Sequence, residues 1–342
     1  MVEGNVYHTI PCSCGSGKSF EECCYREELH HASLPERGIR EALSTSFQGG
    51  EFTSLEEAQA FMQELMVTNN RTSLSEFAGL SPEQMHRFLA FPFGSNNLAT
   101  FASVLPFEPD SPVTSVFKAL AEAIGEKGLK ATVAGNLPQK VVRDIAIALT
   151  GRDTHGPENL GWRLNREEEY PELHITRFTA ELAGLVRKFK GKFMLTKKCR
   201  TVQKNEGLAG IWPVLFRAYV EKFNWHDRGP DELPFIQDSF LFTLYLLNKY
   251  GAQERSGDFY SRIFVEAFPA LLNEVSPKSY CSAIDSLSTV YLNRAMSYFA
   301  EFFGLAIVAV DYKRSGAFSA SNYRITARPL LQAAVQFHIP EA

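Results

Sequence analysis

Four of the six cysteines of this 342-residue chain fall inside one stretch, Pro11-Cys12-Ser13-Cys14-Gly15-Ser16-Gly17-Lys18-Ser19-Phe20-Glu21-Glu22-Cys23-Cys24. Thiolates in that number can enclose one zinc ion, which takes four ligands in a tetrahedron. The Cys12-x-Cys14 pair grips the ion from a tight turn, and Gly15 and Gly17 let the chain reverse. About one helical turn over Ser19–Cys24 then returns Cys23 and Cys24. With all four ligands sulfur, no position stays open for water, so the expected zinc is structural and not catalytic. A knuckle this small lacks a core of its own, and metal binding worth about 10–16 kcal/mol would hold it together.

Two other chemistries compete for the same residues. Gly15-Ser16-Gly17-Lys18-Ser19 looks like the tail of a phosphate-binding loop, but G-x-x-x-x-G-K-[ST] would need a glycine where Cys12 stands. The preceding Val2–Ile10 is also too short and mixed for a central buried strand. Disulfides are the second alternative. The first 30 residues carry no apolar run of an export signal, so a reducing cytoplasm is expected, and that favours metal.

A second concentration of chemistry is electrostatic. Arg187, Lys188, Lys190, Lys192, Lys197, Lys198, Arg200 and Lys204 follow one another with no acid between them, in a chain of net charge −4. The rest of the chain holds 27 basic against 39 acidic residues, so one basic patch sits on an acidic protein. Such a patch neutralises phosphates and releases their counterions. A lysine-rich edge also protects a strand from aggregation, which is the plainer reading. Arg177 is the candidate reader of bases, since a guanidinium bridges two acceptors on guanine. Thr176, Thr179 and Glu181 are expected beside it as exposed polar groups. The candidate nucleic-acid contacts are therefore Arg177, Arg187, Lys188, Lys190, Lys192, Lys197, Lys198 and Arg200.

Acid–base chemistry finds less support. Asp153, His155 and Glu158 share a polar loop, and His226-Asp227 form another pair, but neither has a nucleophile nearby in sequence. Glu167-Glu168-Glu169 reads as a charge run at a helix start, where carboxylates complement the dipole. Cys199 and Cys281 read as small core or surface residues. No enzyme class is expected.

The elements that must position these groups follow from periodicity and capping. Hydrophobic residues make up 45% and charged residues 22%, ordinary for a globular protein, and no apolar run is long enough to span a membrane. Leu34–Phe47 and Ser54–Met66 read as helices, the latter with a capping box at Ser54 and Glu57 and an apolar face of Ala58, Phe61, Met62 and Leu65. Ser81-Pro82-Glu83-Gln84 opens another, with Phe88, Leu89 and Phe91 as its buried side. Residues 92–112, rich in Pro, Ser and Asn, read as a linker or an ordered surface loop between the N-terminal and central regions. There follow a helix over Pro112–Lys127 capped by Ser111, a short strand over 129–132, and a helix over Pro138–Leu149. A polar loop (151–172), a helix over His174–Leu185 and a hairpin turning at Lys190-Gly191 complete the series. Near the C-terminus the pattern returns: a helix over Leu287–Phe303 ending at Gly304, a strand over Leu305–Tyr312, a polar tip and a return strand over Tyr323–Thr326. Both copies read G-L-[VA]…[LI]-T before a helix. The apolar stretch between them, with Trp212 paired to Phe216, is the expected scaffold.

The cysteine stretch resembles the SEC-C motif, a zinc knuckle found at the C-terminus of the bacterial protein-translocation ATPase and in many otherwise unrelated bacterial proteins. Pro11, the four cysteines, Gly15–Lys18 and Phe20 carry the resemblance, which implies docking of a protein partner. Glu21-Glu22 stand where that family carries lysines, so an anion-binding role is not carried over. The order helix–strand–helix–helix–hairpin, with L-x-G-L-V-R-K-F-K-G-K-F-M-L-T-K-K, resembles bacterial winged helix-turn-helix proteins. That resemblance implies a third helix in the major groove and a wing on the phosphates. The expected fold is mainly α with small β-hairpins: a zinc knuckle (1–30), a helical region (31–110), a winged unit with a basic wing (111–206), a helical scaffold (207–276) and a second winged unit (277–342). The second unit has few cations and is expected to pack or dimerise. The expected function is non-enzymatic zinc and nucleic-acid binding, with a protein-interaction adaptor as the alternative.

Overall fold

Capping chemistry fixes where the first helices begin. In the computed structural model, which describes residues 54–155, 161–225, 233–275, 281–311 and 320–339, Ser54 Oγ accepts from Glu57 N–H and opens α1 (Leu55–Arg71). Ala58, Phe61, Met62 and Leu65 form its half-buried stripe, as their spacing predicts. Ser81 and Gln84 make both bonds of a capping box at the start of α2 (Pro82–Ala90). Phe88 is buried there, but Phe91 is not: it follows the last helical turn and faces solvent. The zinc knuckle and the expected helix over Leu34–Phe47 lie outside the described residues.

Residues 92–112 are not a separating linker. Within them β1 (Ala99–Phe101) pairs antiparallel with the last strand of the chain, Val335–Phe337. Leu98, Ala99 and Leu105 are buried. The segment is pinned because its backbone donors find carbonyl partners elsewhere in the fold.

The central region has the expected order. Ser111 Oγ accepts from Thr114 N–H at the start of α3 (Pro112–Ile124), which leads to β2 (Leu129–Lys130) and α4 (Gln139–Thr150). The expected polar loop contains a small hairpin, β3 (Thr154–His155) with β4 (Trp162–Arg163), and a 3-10 turn, Glu167–Glu169. Then come α5 (Pro171–Leu182), β5 (Val186–Phe189) and β6 (Lys192–Leu195), in a sheet ordered β2-β6-β5. α5 starts three residues before the expected His174, because Pro171 suits the first helical position. It ends in a Schellman arrangement, Leu185 N–H donating to Ala180 O with Gly184 at φ 69°.

α6 (Lys197–Glu221) breaks at Gly207, whose φ of 62° is not helical, close to the expected boundary. Pro213 lies inside its second half and cannot donate to Ala209 O; Leu105 N–H donates there at 3.1 Å instead. α7 (Phe235–Asp238), α8 (Phe240–Tyr250), β7 (Arg255–Ser256), α9 (Gly257–Ala267) and α10 (Ala283–Tyr291) follow. α10 continues as a π-helix over Leu292–Glu301, then β8 (Ala306–Val310), β9 (Tyr323–Ala327), α11 (Pro329–Ala334) and β10 (Val335–Phe337).

Here the expected boundary at residue 277 is corrected. β7 pairs with β9, giving a sheet ordered β7-β9-β8, the counterpart of β2-β6-β5. The second series therefore begins at α8 and runs α8, β7, α9, α10, β8, β9, so the stretch taken as scaffold supplies its first helix, first strand and second helix. The two copies also share their turn: Leu305 N–H donates to Ala300 O as Leu185 does to Ala180 O. The buried apolar side chains form one cluster across the described residues, with Trp212 stacked on Phe216 at 5.0 Å. Among those residues no helix is long and apolar enough to cross a membrane.

Candidate nucleic-acid interface

The β5–β6 hairpin turns through Lys190 (φ 47°) and Gly191 (φ 71°), both left-handed, which is the two-residue turn whose twist matches that of the strands. Register then sets the faces. Lys188 stands opposite Phe193 and Phe189 opposite Lys192. Val186 and Phe193 are buried, whereas Arg187, Lys188, Phe189, Lys190 and Lys192 are all exposed. The hairpin is held down by its apolar side, and Ala131 N–H donates to Gly191 O at 2.9 Å. Three cations stand near rings: Lys188 Nζ is 5.1 Å from the Phe193 centroid, and Arg187 Cζ and Lys190 Nζ are 5.2 and 5.4 Å from that of Phe189.

The patch continues onto α6. Thr196 Oγ1 accepts from Cys199 N–H, and Lys197, Arg200 and Lys204 are exposed on the first turns. Cations there oppose the helix dipole, so they destabilise the helix start unless an anion is close. Lys198 has a different task. Its Nζ donates to Ala183 O, Lys222 Nζ to Leu182 O and Thr196 Oγ1 to Gly184 O, which together satisfy the carbonyls at the end of α5. Among the described residues none of the eight patch cations forms an ion pair with a carboxylate. Cys199 is buried, and burial pushes its thiol up to about 11, as befits an inert core residue.

Arg177 does not read bases. It is 0% exposed, its Nε donating to Glu167 Oε1 and its Nη1 to Glu181 Oε1, with its guanidinium 3.9 Å from the Phe178 centroid. Thr176 and Thr179, expected to be exposed, are also buried. The exposed positions of α5 are Pro171, Phe178 and Leu182, which offer no hydrogen bonds from their side chains to base edges, and Glu172, His174 and Glu181 are half-buried. The reason is a carboxylate that sequence reasoning placed in a charge run at a helix start. Glu167 is buried, accepts from Leu137 N–H at 2.6 Å through Oε2, and lies 3.1 Å from His174 Nδ1 through Oε1. Burial alone would raise its pKa; His174, Arg177 and the Leu137 amide outweigh that and lower it. The available signal was Arg177 itself, which shares a helical stripe with Leu173 and Ala180 and has Glu181 four residues on.

Beside α5 runs an open groove of about 760 Å³ lined by His174, Phe178, Leu182, Phe223 and Tyr298 among others. Among its described lining residues are no serine, threonine or cysteine to act as nucleophile. In the second series, among the described residues, Arg328 pairs with Asp110 and Arg324 lies 3.9 Å from Glu254, and Lys313 and Arg314 lie outside those residues. Asp153 pairs with Arg163. Glu158, His226, Asp227 and the ligand set Cys12, Cys14, Cys23 and Cys24 lie outside the described residues. Among the described residues no group of histidine, cysteine and carboxylate side chains is arranged to hold a metal ion.

No family model matches the chain, and neither a curated protein nor a solved structure matches it.

Proposed function

We propose that this is a cytoplasmic, non-enzymatic nucleic-acid-binding protein that holds phosphates on a basic wing, the β5–β6 hairpin, and on the start of α6. The observation that carries the reading is a run of exposed cations, Arg187, Lys188, Lys190, Lys192, Lys197 and Arg200, with no carboxylate paired to them among the described residues. An acidic protein that keeps such a patch unneutralised has a site complementary to a polyanion. The repeated order of helices and three-stranded sheet supports a winged-helix reading of both units, with the first contacting phosphate and the second packing.

The test is anisotropy of a labelled oligonucleotide across a salt series. Four to six phosphate contacts give a log–log slope of about −3 to −5. Combined Lys188→Glu, Lys190→Glu and Lys192→Glu changes should abolish binding while the unfolding midpoint holds. Binding that survives those changes with its salt slope intact overturns the proposal.

A second reading, protein docking, is favoured by the apolar outward side of α5 along the groove, where Phe178 and Leu182 are exposed. It joins to the Cys12–Cys24 knuckle, which is proposed to bind structural zinc and a protein partner. One zinc per chain by elemental analysis, lost with Cys14→Ser, is the expected result. Zinc-free protein that folds unchanged would remove the knuckle from the account.

A further inference from the structure

We infer that the hairpin takes single-stranded nucleic acid, with an unpaired base stacked on Phe189 and the flanking phosphates on Arg187, Lys190 and Lys192. The inference rests on the phosphate-binding reading above and adds the class of strand.

Two observations carry it. The first is the loss of the helix that would read a duplex. Major-groove recognition needs polar side chains aimed at base edges, and the exposed positions of α5 are Pro171, Phe178 and Leu182, while Thr176, Arg177 and Thr179 are buried and half-exposed His174 and Glu181 are engaged by Glu167 and Arg177. A duplex would therefore be held chiefly through its phosphates.

The second is Phe189 itself. It is 50% exposed at the last position of β5, next to the turn, although Phe193 on the neighbouring strand is fully buried. Alternation puts Arg187 and Phe189 on the same side of the strand, and Lys192 stands across from Phe189 in the ladder. Arg187 and Lys190 lie over the ring, 5.2 and 5.4 Å from its centroid, and they would move from it onto the flanking phosphates as a base takes its face. An aromatic face among phosphate-binding cations suits an unpaired base, because every base has a π-face and only unstacked bases present it. In a duplex those faces are covered by neighbouring pairs. The 2′-hydroxyl makes no difference to this chemistry, so DNA and RNA strands are both ligands of the site.

The experiment compares fluorescein-labelled oligo-dT, oligo-U and a duplex of matched phosphate number on the full chain. Phe189→Ala should weaken both single strands by roughly 5- to 150-fold, the range of losing one stacked base. Duplex binding should stay within about twofold, since it draws chiefly on phosphates. Phe189→Trp should restore single-strand affinity. If Phe189→Ala changes nothing while the triple lysine reversal abolishes binding to every probe, the stacking inference falls and the phosphate site stands. If the wild-type chain binds no probe at any salt concentration, the phosphate site falls and takes the inference with it. Loss on oligo-dT alone or oligo-U alone would overturn the statement that the site takes both kinds of strand.

Discussion

Glu167→Gln should lower stability by about 2–3 kcal/mol, read as a urea midpoint roughly 1–2 M below wild type. The size follows from what the substitution leaves behind. Glu167 is the fully buried one of two carboxylates on a guanidinium with no exposed surface, and an amide in its place leaves that charge to the half-buried Glu181 alone. Glu167 also accepts from the Leu137 amide just before α4 and from His174 on α5, so three segments lose a shared anchor. Replacing both partners, Glu167→Leu with Arg177→Met, should cost much less than the two single changes added together. The pH dependence has a definite sign. The folded-state pKa of Glu167 lies below its ordinary value of 4.5, so its contribution is complete above about pH 4.5 and is lost as pH falls through the folded value. The gap between wild type and Glu167→Gln should therefore be full at pH 7 and close on acidification. A base-reading Arg177 predicts the reverse pattern, in which Arg177→Met spares stability and weakens duplex binding. That outcome would refute the buried pair.

The features legible in the sequence are those decided within a few residues. Ser54, Ser81 and Ser111 mark helix starts because a side-chain oxygen accepts from an amide three positions on, a purely local bond. Lys190-Gly191 marks the hairpin because glycine fits the second left-handed position, and alternation around it then fixes which side faces the core. The illegible features are decided across the chain. Arg255-Ser256 has no strand pattern of its own and is a strand because β9 lies beside it. Ala99–Phe101 is likewise too short for alternation to show, and its partner is Val335–Phe337 at the other end of the described chain. Arg177 was misplaced because charge was read without stripe. A guanidinium between Leu173 and Ala180 on an apolar face is a buried group in need of an anion, and Glu167 lies ten residues before it, beyond any helical spacing.

Gly304→Ala should cost about 2–5 kcal/mol, and the matched change Gly184→Ala only about 1–2. Both glycines end a helix in the left-handed region, at φ 73° and 69°, and both precede a Leu that closes the same backbone bond. The backbone penalty for alanine is therefore common to the two. Their surroundings differ. A Cβ at Gly184 would meet nothing within 4 Å, whereas one at Gly304 would stand 2.7 Å from Ser111 Cβ and 2.8 Å from Asp110 O. Neither neighbour is free to retreat. Asp110 is held by Arg328 through its carbonyl and its carboxylate, and Val113 N–H donates to Phe302 O on the helix that Gly304 ends. The same turn is thus open in the central unit and closed in the second, where it meets the start of α3. That asymmetry matches the division of labour proposed for the copies: a hairpin left accessible beside Gly184, and a packing module locked in place at Gly304. Urea melts of the two variants decide it, and equal losses at both glycines would show that the contact at Ser111 yields without cost.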